Sequence, residues 1–291
     1  MDLSKLKKRP SYPIETIAVA ISFSPRCAPI LAEAKRINDS LKAHLVLIHI
    51  GEKTNEKEND LDTMLSQVGI KANDCRIIFM EGDPVDTILK LCKLNIVDLL
   101  ILGALEKENI FKFYVGSIAR SISRRAKCSV LLLTNPSIDF LQYKKFVVTG
   151  VENPKTIHTI KTSLYLAKNL GVKNVTIVNE VDNPGLTMAI VEDTTGPESK
   201  EIKKNIIEES NERLQAILNV CELADIKLLE KSINGKPGYI ISKYAREKKA
   251  DLLVINSPDT QLNVFDRIFA HGIEYILADL PCNVLIVHSR L

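Results

Sequence analysis

Asp98-Leu99-Leu100-Ile101-Leu102-Gly103 is an aliphatic run led by an acid and closed by glycine, and it returns as Asp251-Leu252-Leu253-Val254-Ile255-Asn256. Such a run, bounded by a turn-former, reads as a strand buried on both faces. Upstream of each copy, Glu81-Gly82-Asp83-Pro84 answers to Asn234-Gly235-Lys236-Pro237. Downstream, Lys127-Cys128-Ser129-Val130-Leu131-Leu132-Leu133 answers to Pro281-Cys282-Asn283-Val284-Leu285-Ile286-Val287. Three blocks in one order at nearly one offset indicate a duplicated unit. The boundary is expected between Thr134 and Tyr143, where Asn135-Pro136-Ser137 supplies turn chemistry, giving domains of residues 1–138 and 139–291.

Around these blocks, short β-branched runs alternate with amphipathic stretches. In the first unit, strands are expected at Thr16 to Ile21, Leu45 to Ile50, Arg76 to Met80, Val97 to Leu102 and Ser129 to Leu133. Helices are expected from Pro25 through Cys27, Leu31, Ala34, Ile37 and Leu41, over Pro84 to Leu94, and over Val115 to Arg125. The second unit repeats the order with strands at Phe146 to Thr149, Val175 to Val178 and Lys227 to Glu230. A helix runs through Ile157, Ile160, Leu164 and Ala167 to Gly171, and a longer one through Ile202, Ile206, Arg213 and Ile217. Alternation of this kind implies right-handed crossovers and an α/β fold: two tandem doubly wound domains, each a five-stranded parallel sheet with helices on both faces. Gly51 to Asp60 and Asp182 to Glu198 resist the pattern and are expected as polar segments leaving the carboxyl edge, the edge where open α/β sheets bind ligands.

The composition narrows the function classes. The 291 residues include 39 Lys and Arg against 36 Asp and Glu, a formal charge of +3 that makes no case for a dedicated nucleic-acid binder. No apolar run is long enough to cross a membrane, and the basic start lacks the apolar core of a secretory signal. Six scattered cysteines form neither a disulfide framework nor a zinc pattern, which fits reduced thiols in the cytoplasm. There is no G-x-x-x-x-G-K-[ST], no G-x-G-x-x-G after a strand and no G-x-S-x-G. The five histidines show no ligand spacing, and the first strands end without the paired carboxylates of a phospho-receiver.

The segment after the fourth strand is what remains. Gly103-Ala104-Leu105-Glu106 leaves the strand, and Gly116-Ser117 opens the next helix. Gly116 allows close backbone approach, and Ser117 brings a hydroxyl and a free amide at a helix N-terminus, a ready phosphate site; an ordinary loop and cap would read the same way.

From Glu81 to Leu133 the chain resembles the universal stress protein family, whose nucleotide motif is G-x-x-G, nine residues, then G-[ST]. Gly103 matches the first glycine, and Gly116 with Ser117 match the final pair after nine intervening residues. The resemblance extends over nearly the whole chain as a tandem pair. It implies strand order 3-2-1-4-5 and ATP or AMP, with magnesium, in a cleft between the first and fourth strands. On it, Ala20, Ile21 and Ser22 line the nucleoside end, Gly103 and Glu106 the loop, and Gly116, Ser117 and Ile118 the phosphates. It also implies that the last strands of the two copies pair as an intrachain pseudo-dimer; a homodimer of the whole chain is not legible.

Two departures bear on the site. Glu106 stands at the motif's middle glycine, and Ser22 where the family places an aspartate. A carboxylate about 4 Å from a phosphate costs on the order of 4 kcal/mol at an effective dielectric of 20, two to three decades of affinity. Lys107 or a magnesium ion would offset that, or Glu106 points to solvent. The second copy departs further, with Asn256, Asp259, Ala270 and His271 at the motif positions and Val151 in place of Ser22. Three readings follow: a regulatory adenine-nucleotide site in the first domain, a nucleotide-free scaffold acting through an unidentified protein partner, or a slow ATP hydrolase whose base would be Glu106 or Asp83.

Overall fold

The computed structural model describes residues 10–106, 113–151, 153–181, 225–258 and 266–288. In the first half these form β1 (Thr16–Ala20), α1 (Cys27–Leu41), β2 (His44–Ile50), α2 (Asn55–Val68), β3 (Cys75–Met80), α3 (Pro84–Leu94) and β4 (Leu99–Gly103). A short hairpin, β5 (Leu105–Glu106) with β6 (Phe113–Tyr114), leads into α4 (Ser117–Arg125) and β7 (Ser129–Leu133). The second half comprises β8 (Lys145–Thr149), α5 (Thr156–Asn169), β9 (Asn174–Val181), β10 (Lys227–Asn234), α6 (Tyr239–Glu247), β11 (Leu252–Asn256), α7 (Asp266–Ala278) and β12 (Asn283–Val287). The expected helix through Ile202 and the segment Asp182 to Glu198 lie outside the described residues.

The polar segment Gly51 to Asp60 is not simply a connection: α2 begins inside it. Thr54 caps that helix by accepting from Lys57 N at 3.3 Å, Glu56 and Glu58 sit favourably in its first turn, and Gly69 ends it at φ +72°. Its buried face, Leu61 and Leu65, lies beyond Asp60. Asp83 caps α3 in the same way, accepting from Asp86 N at 2.9 Å, with Pro84 in the first turn. That carboxylate serves as the cap of α3.

One ten-stranded sheet runs through both halves in the order β10-β9-β8-β11-β12-β7-β4-β1-β2-β3. Read inward from its outer edge, each half is 3-2-1-4-5. Neighbours within each half are parallel, whereas β7 and β12 pair antiparallel with Leu131 opposite Leu285. The repeated acid is a clamp. Asp98 Oδ2 accepts from Glu15 N and Thr16 N, both at 2.9 Å, and Asp251 Oδ2 accepts from Lys144 N at 2.7 Å and Lys145 N at 2.8 Å. Each carboxylate thus anchors the start of the first strand beside its own.

The seam is buttressed by reciprocal arms. The segment before β1 lies on α5 of the other half, where Ser11 and Thr162 share a 2.6 Å hydrogen bond and Tyr12 stacks on Tyr165 at 5.6 Å. The segment before β8 lies on α1, where Arg36 donates to Ser137 O at 2.7 Å and Ile138 O at 3.2 Å. Between them Asn283 accepts from Thr134 N at 2.9 Å and donates to the Tyr143 hydroxyl at 3.2 Å. Burial, then the nearby Glu33 carboxylate, hold the Tyr143 phenol well above its ordinary pKa.

Candidate functional site at the carboxyl edge

β1 and β4 are neighbours, so Ala20, Ile21, Ser22 and Gly103 meet at one end of the sheet. Ile21 spends its main chain on the scaffold: its N–H donates to Ile48 O at 2.9 Å, and its carbonyl faces His49 Nδ1 at 3.2 Å. Ser22 is exposed and hydrogen-bonds Ser24 Oγ at 3.3 Å. Beyond Gly103 the expected loop is the β5–β6 hairpin, with Glu106 opposite Phe113 in the backbone register.

Gly116 is the N-cap of α4, in extended conformation, and no side chain caps that helix. Among the described residues the first-turn amides after Gly116 therefore have no side-chain acceptor, as at the starts of α1, α5 and α6, whereas α2 and α3 are capped. Ser117 is exposed and Ile118 is 45% exposed. Just before them, Val115 N donates to Leu277 O at 3.1 Å, so the last turn of α7 in the second half props the start of α4.

Sequence reasoning missed Arg26. It stands before α1 and donates to Ala104 O, just past β4, and to Thr134 O, just past β7. Its equivalent in the second half is Lys155, whose Nζ lies 3.4 Å from Ser257 O and 3.3 Å from Pro258 O. The dipeptides Pro25-Arg26 and Pro154-Lys155 were the available signal. Gly103 packs against α1: a Cβ there would lie 2.6 Å from Ile30 Cδ1, the movable end of that side chain. Cys27, at the same end of α1, is pushed up to about 11 by burial, partly offset by a hydrogen bond with the Ser22 backbone, and stays a protonated thiol.

The corresponding corner of the second half is built differently. α7 begins at Asp266, so Ala270 and His271, which correspond to Gly116 and Ser117, lie inside a helix. Their amides are committed to the helix ladder rather than presented at its mouth. Gly238, at φ +78°, closes on α7 so tightly that a Cβ would fall 2.0 Å from Gly272 O, and Glu180 accepts from Gly238 N at 2.7 Å. The cavity that remains, among Thr149, Val151, Glu180, Asn256 and Ile273, measures about 60 Å³. That is room for a water or two, against the several hundred Å³ of a typical ligand pocket. Asp259 lies outside the described residues.

Among the described residues no group of three or more His, Cys, Asp or Glu side chains is placed to hold a metal ion, and no helix is long and apolar enough to cross a membrane. The side chain of Glu106 and residue Lys107 lie outside the described set.

A protein of unknown function from Pseudomonas aeruginosa PAO1 shares this fold at 17% identity and a TM-score of 0.65, with 95% of this chain and 93% of that one covered. A universal stress protein from Archaeoglobus fulgidus matches at 13% identity and a TM-score of 0.63, over 96% of this chain and all (100%) of the other. A putative universal stress protein from Pseudomonas aeruginosa UCBPP-PA14 matches at 17% and 0.63, over 94% and 93%. The model of the universal stress protein family matches twice in tandem, over residues 13–134 and 143–288. With both copies matched, the chain belongs to the universal stress protein family.

Proposed function

We propose that the first half binds an adenine nucleotide, ATP or AMP, as a regulatory ligand at the edge formed by Ala20–Ser22, Gly103 and Gly116–Ile118. The observation that carries the reading is the contrast between the two helix starts. α4 opens at Ser117 behind an uncapped glycine, whereas α7 has absorbed the same positions into its interior. Uncapped amides at the positive end of a helix suit the phosphates, and magnesium would arrive with the nucleotide. The ligand acts as a switch to the extent that it binds two states of the protein unequally.

The test is to denature the purified protein, look for released adenine nucleotide, and titrate ATP with magnesium. Stoichiometric binding that Gly116→Val removes and Ala270→Val leaves intact supports the proposal. No binding up to millimolar ATP overturns it and leaves the second reading, a scaffold working through protein contacts. The Ile30 methyl against Gly103 and the engagement of Arg26 with the scaffold favour that alternative.

A further inference from the structure

β3 and β10 are the outer edges of the sheet. Gly51 N donates to Met80 O at 2.9 Å, so the main-chain groups of Met80 face β2. The two-residue period of a strand turns Ile78 and Arg76 the same way and points the N–H and C=O of Ile77 and Phe79 out of the sheet. Among the described residues nothing pairs with those outward groups. On the opposite edge, Lys227 N donates to Lys173 O at 2.7 Å, so Leu228, Glu230 and Ser232 are the outward residues of β10.

Beside the β3 edge lies a cavity of about 420 Å³ whose lining includes Lys53, Glu58, Asp62, Arg76, Ile77 and Phe79. Its charges are unequally matched. Lys53 holds Glu58 at 2.7 Å, but Arg76 donates only to the neutral Asn95 side chain, at 2.8 Å, and Asp62 forms no ion pair among the described residues.

We propose that this edge is a peptide-docking groove, which takes an extended segment of a partner protein as an eleventh strand. The row of outward N–H and C=O groups calls for a complementary row, which another main chain supplies and a compact solute does not. The outward groups of Ile77 and Phe79 are roughly 7 Å apart along the strand, within the span of three or four extended residues. The segment carries one acidic side chain for Arg76 and one basic side chain for Asp62. Glu58 and Asp62 would repel a polyanion, so the mixed signs favour a peptide over a nucleic acid. β1 and β2 separate the groove from β4. It therefore stands independently of the nucleotide reading.

The probe is a displayed library of random octapeptides selected on the full-length protein, with each enriched peptide synthesised and titrated by fluorescence anisotropy. Ile77→Pro deletes an outward donor without touching the β2 ladder, and Ile77→Val controls for the altered side chain. The expected result is enriched peptides bearing both charges whose affinity falls at least tenfold in Ile77→Pro and in Asp62→Lys but persists in Ile77→Val. Their binding should also slow hydrogen exchange at the Ile77 and Phe79 amides. No enrichment, or binding indifferent to Asp62→Lys that leaves those amides exchanging freely, overturns the proposal. A dimer seen by sedimentation and dissolved by Ile77→Pro also overturns it, assigning the edge to a second copy of the chain.

Discussion

The δ-methyl of Ile30 stands 2.6 Å from where a Cβ at Gly103 would lie, so a larger residue at 103 must turn that side chain aside. At the equivalent place in the second half, the Thr159 hydroxyl donates to the Asn256 side chain instead. An apolar pair, glycine and isoleucine, has been exchanged for a polar one. Gly103→Asn alone should overpack this corner and cost about 1–3 kcal/mol. Adding Ile30→Thr, which reproduces the second-half pair, should recover much of the loss. Urea unfolding of wild type, both single variants and the double variant measures the coupling; strict additivity would contradict it.

Arg26 ties the chain just past β4 to the chain just past β7. Arg26→Ala should leave two carbonyls without their charged donor and lower stability by about 1.5–3 kcal/mol. Arg26→Lys should retain part of that, because Lys155 makes the contact equivalent to the one with Ala104, to Ser257 O just past β11. Equal losses for the two substitutions in thermal melts would show that charge at this position is immaterial.

The Cys27 thiol, held at about 11 from a reference of 9.0, makes alkaline pH unfavourable to the fold. In the unfolded chain it ionises near 9, whereas in the folded chain it keeps its proton. Its contribution to stability is therefore complete below about pH 9 and is lost as pH rises towards 11. Tyr143 acts in the same direction. Urea midpoints measured between pH 8 and 11 should fall, and fall less steeply in Cys27→Ala. At pH 8 iodoacetamide should label Cys27 on the order of a hundred times more slowly than an unperturbed thiol, a difference that unfolding abolishes.

Residues 1–138 expressed alone would leave β7 as a bare apolar edge. The pairing of Leu131 with Leu285 marks the centre of the seam. The isolated half should therefore pair with itself, Leu131 against Leu131, and sediment as a dimer at micromolar concentration. A well-behaved monomer would show that the seam needs residues present only in the second half.

The layered α/β architecture was legible because aliphatic runs such as Leu99 to Leu102 have few conformational options and recur with their flanking turns. α2 escaped because its first turns are almost wholly polar; the apolar residues that declare it, Leu61, Met64, Leu65 and Val68, start after the charged stretch. The β5–β6 hairpin has two residues a side, too few for any period to register. At the site, the spacing of Gly103, Gly116 and Ser117 was readable. The packing at Gly103 was not, since Ile30 arrives there only when α1 packs on β4. The partners of Arg26, at positions 104 and 134, are likewise brought together by folding alone.

Because β7 and β12 run in opposite senses, the carboxyl ends of the strands in the two halves lie at opposite poles of the sheet. Whatever settles at the amino-terminal pole is turned away from the carboxy-terminal one, and news of it must travel through the midline strands or the bond from Val115 to Leu277. The repeat thus sets two carboxyl edges back to back, one where α4 opens at Ser117 and one where α7 runs through Ala270 and His271.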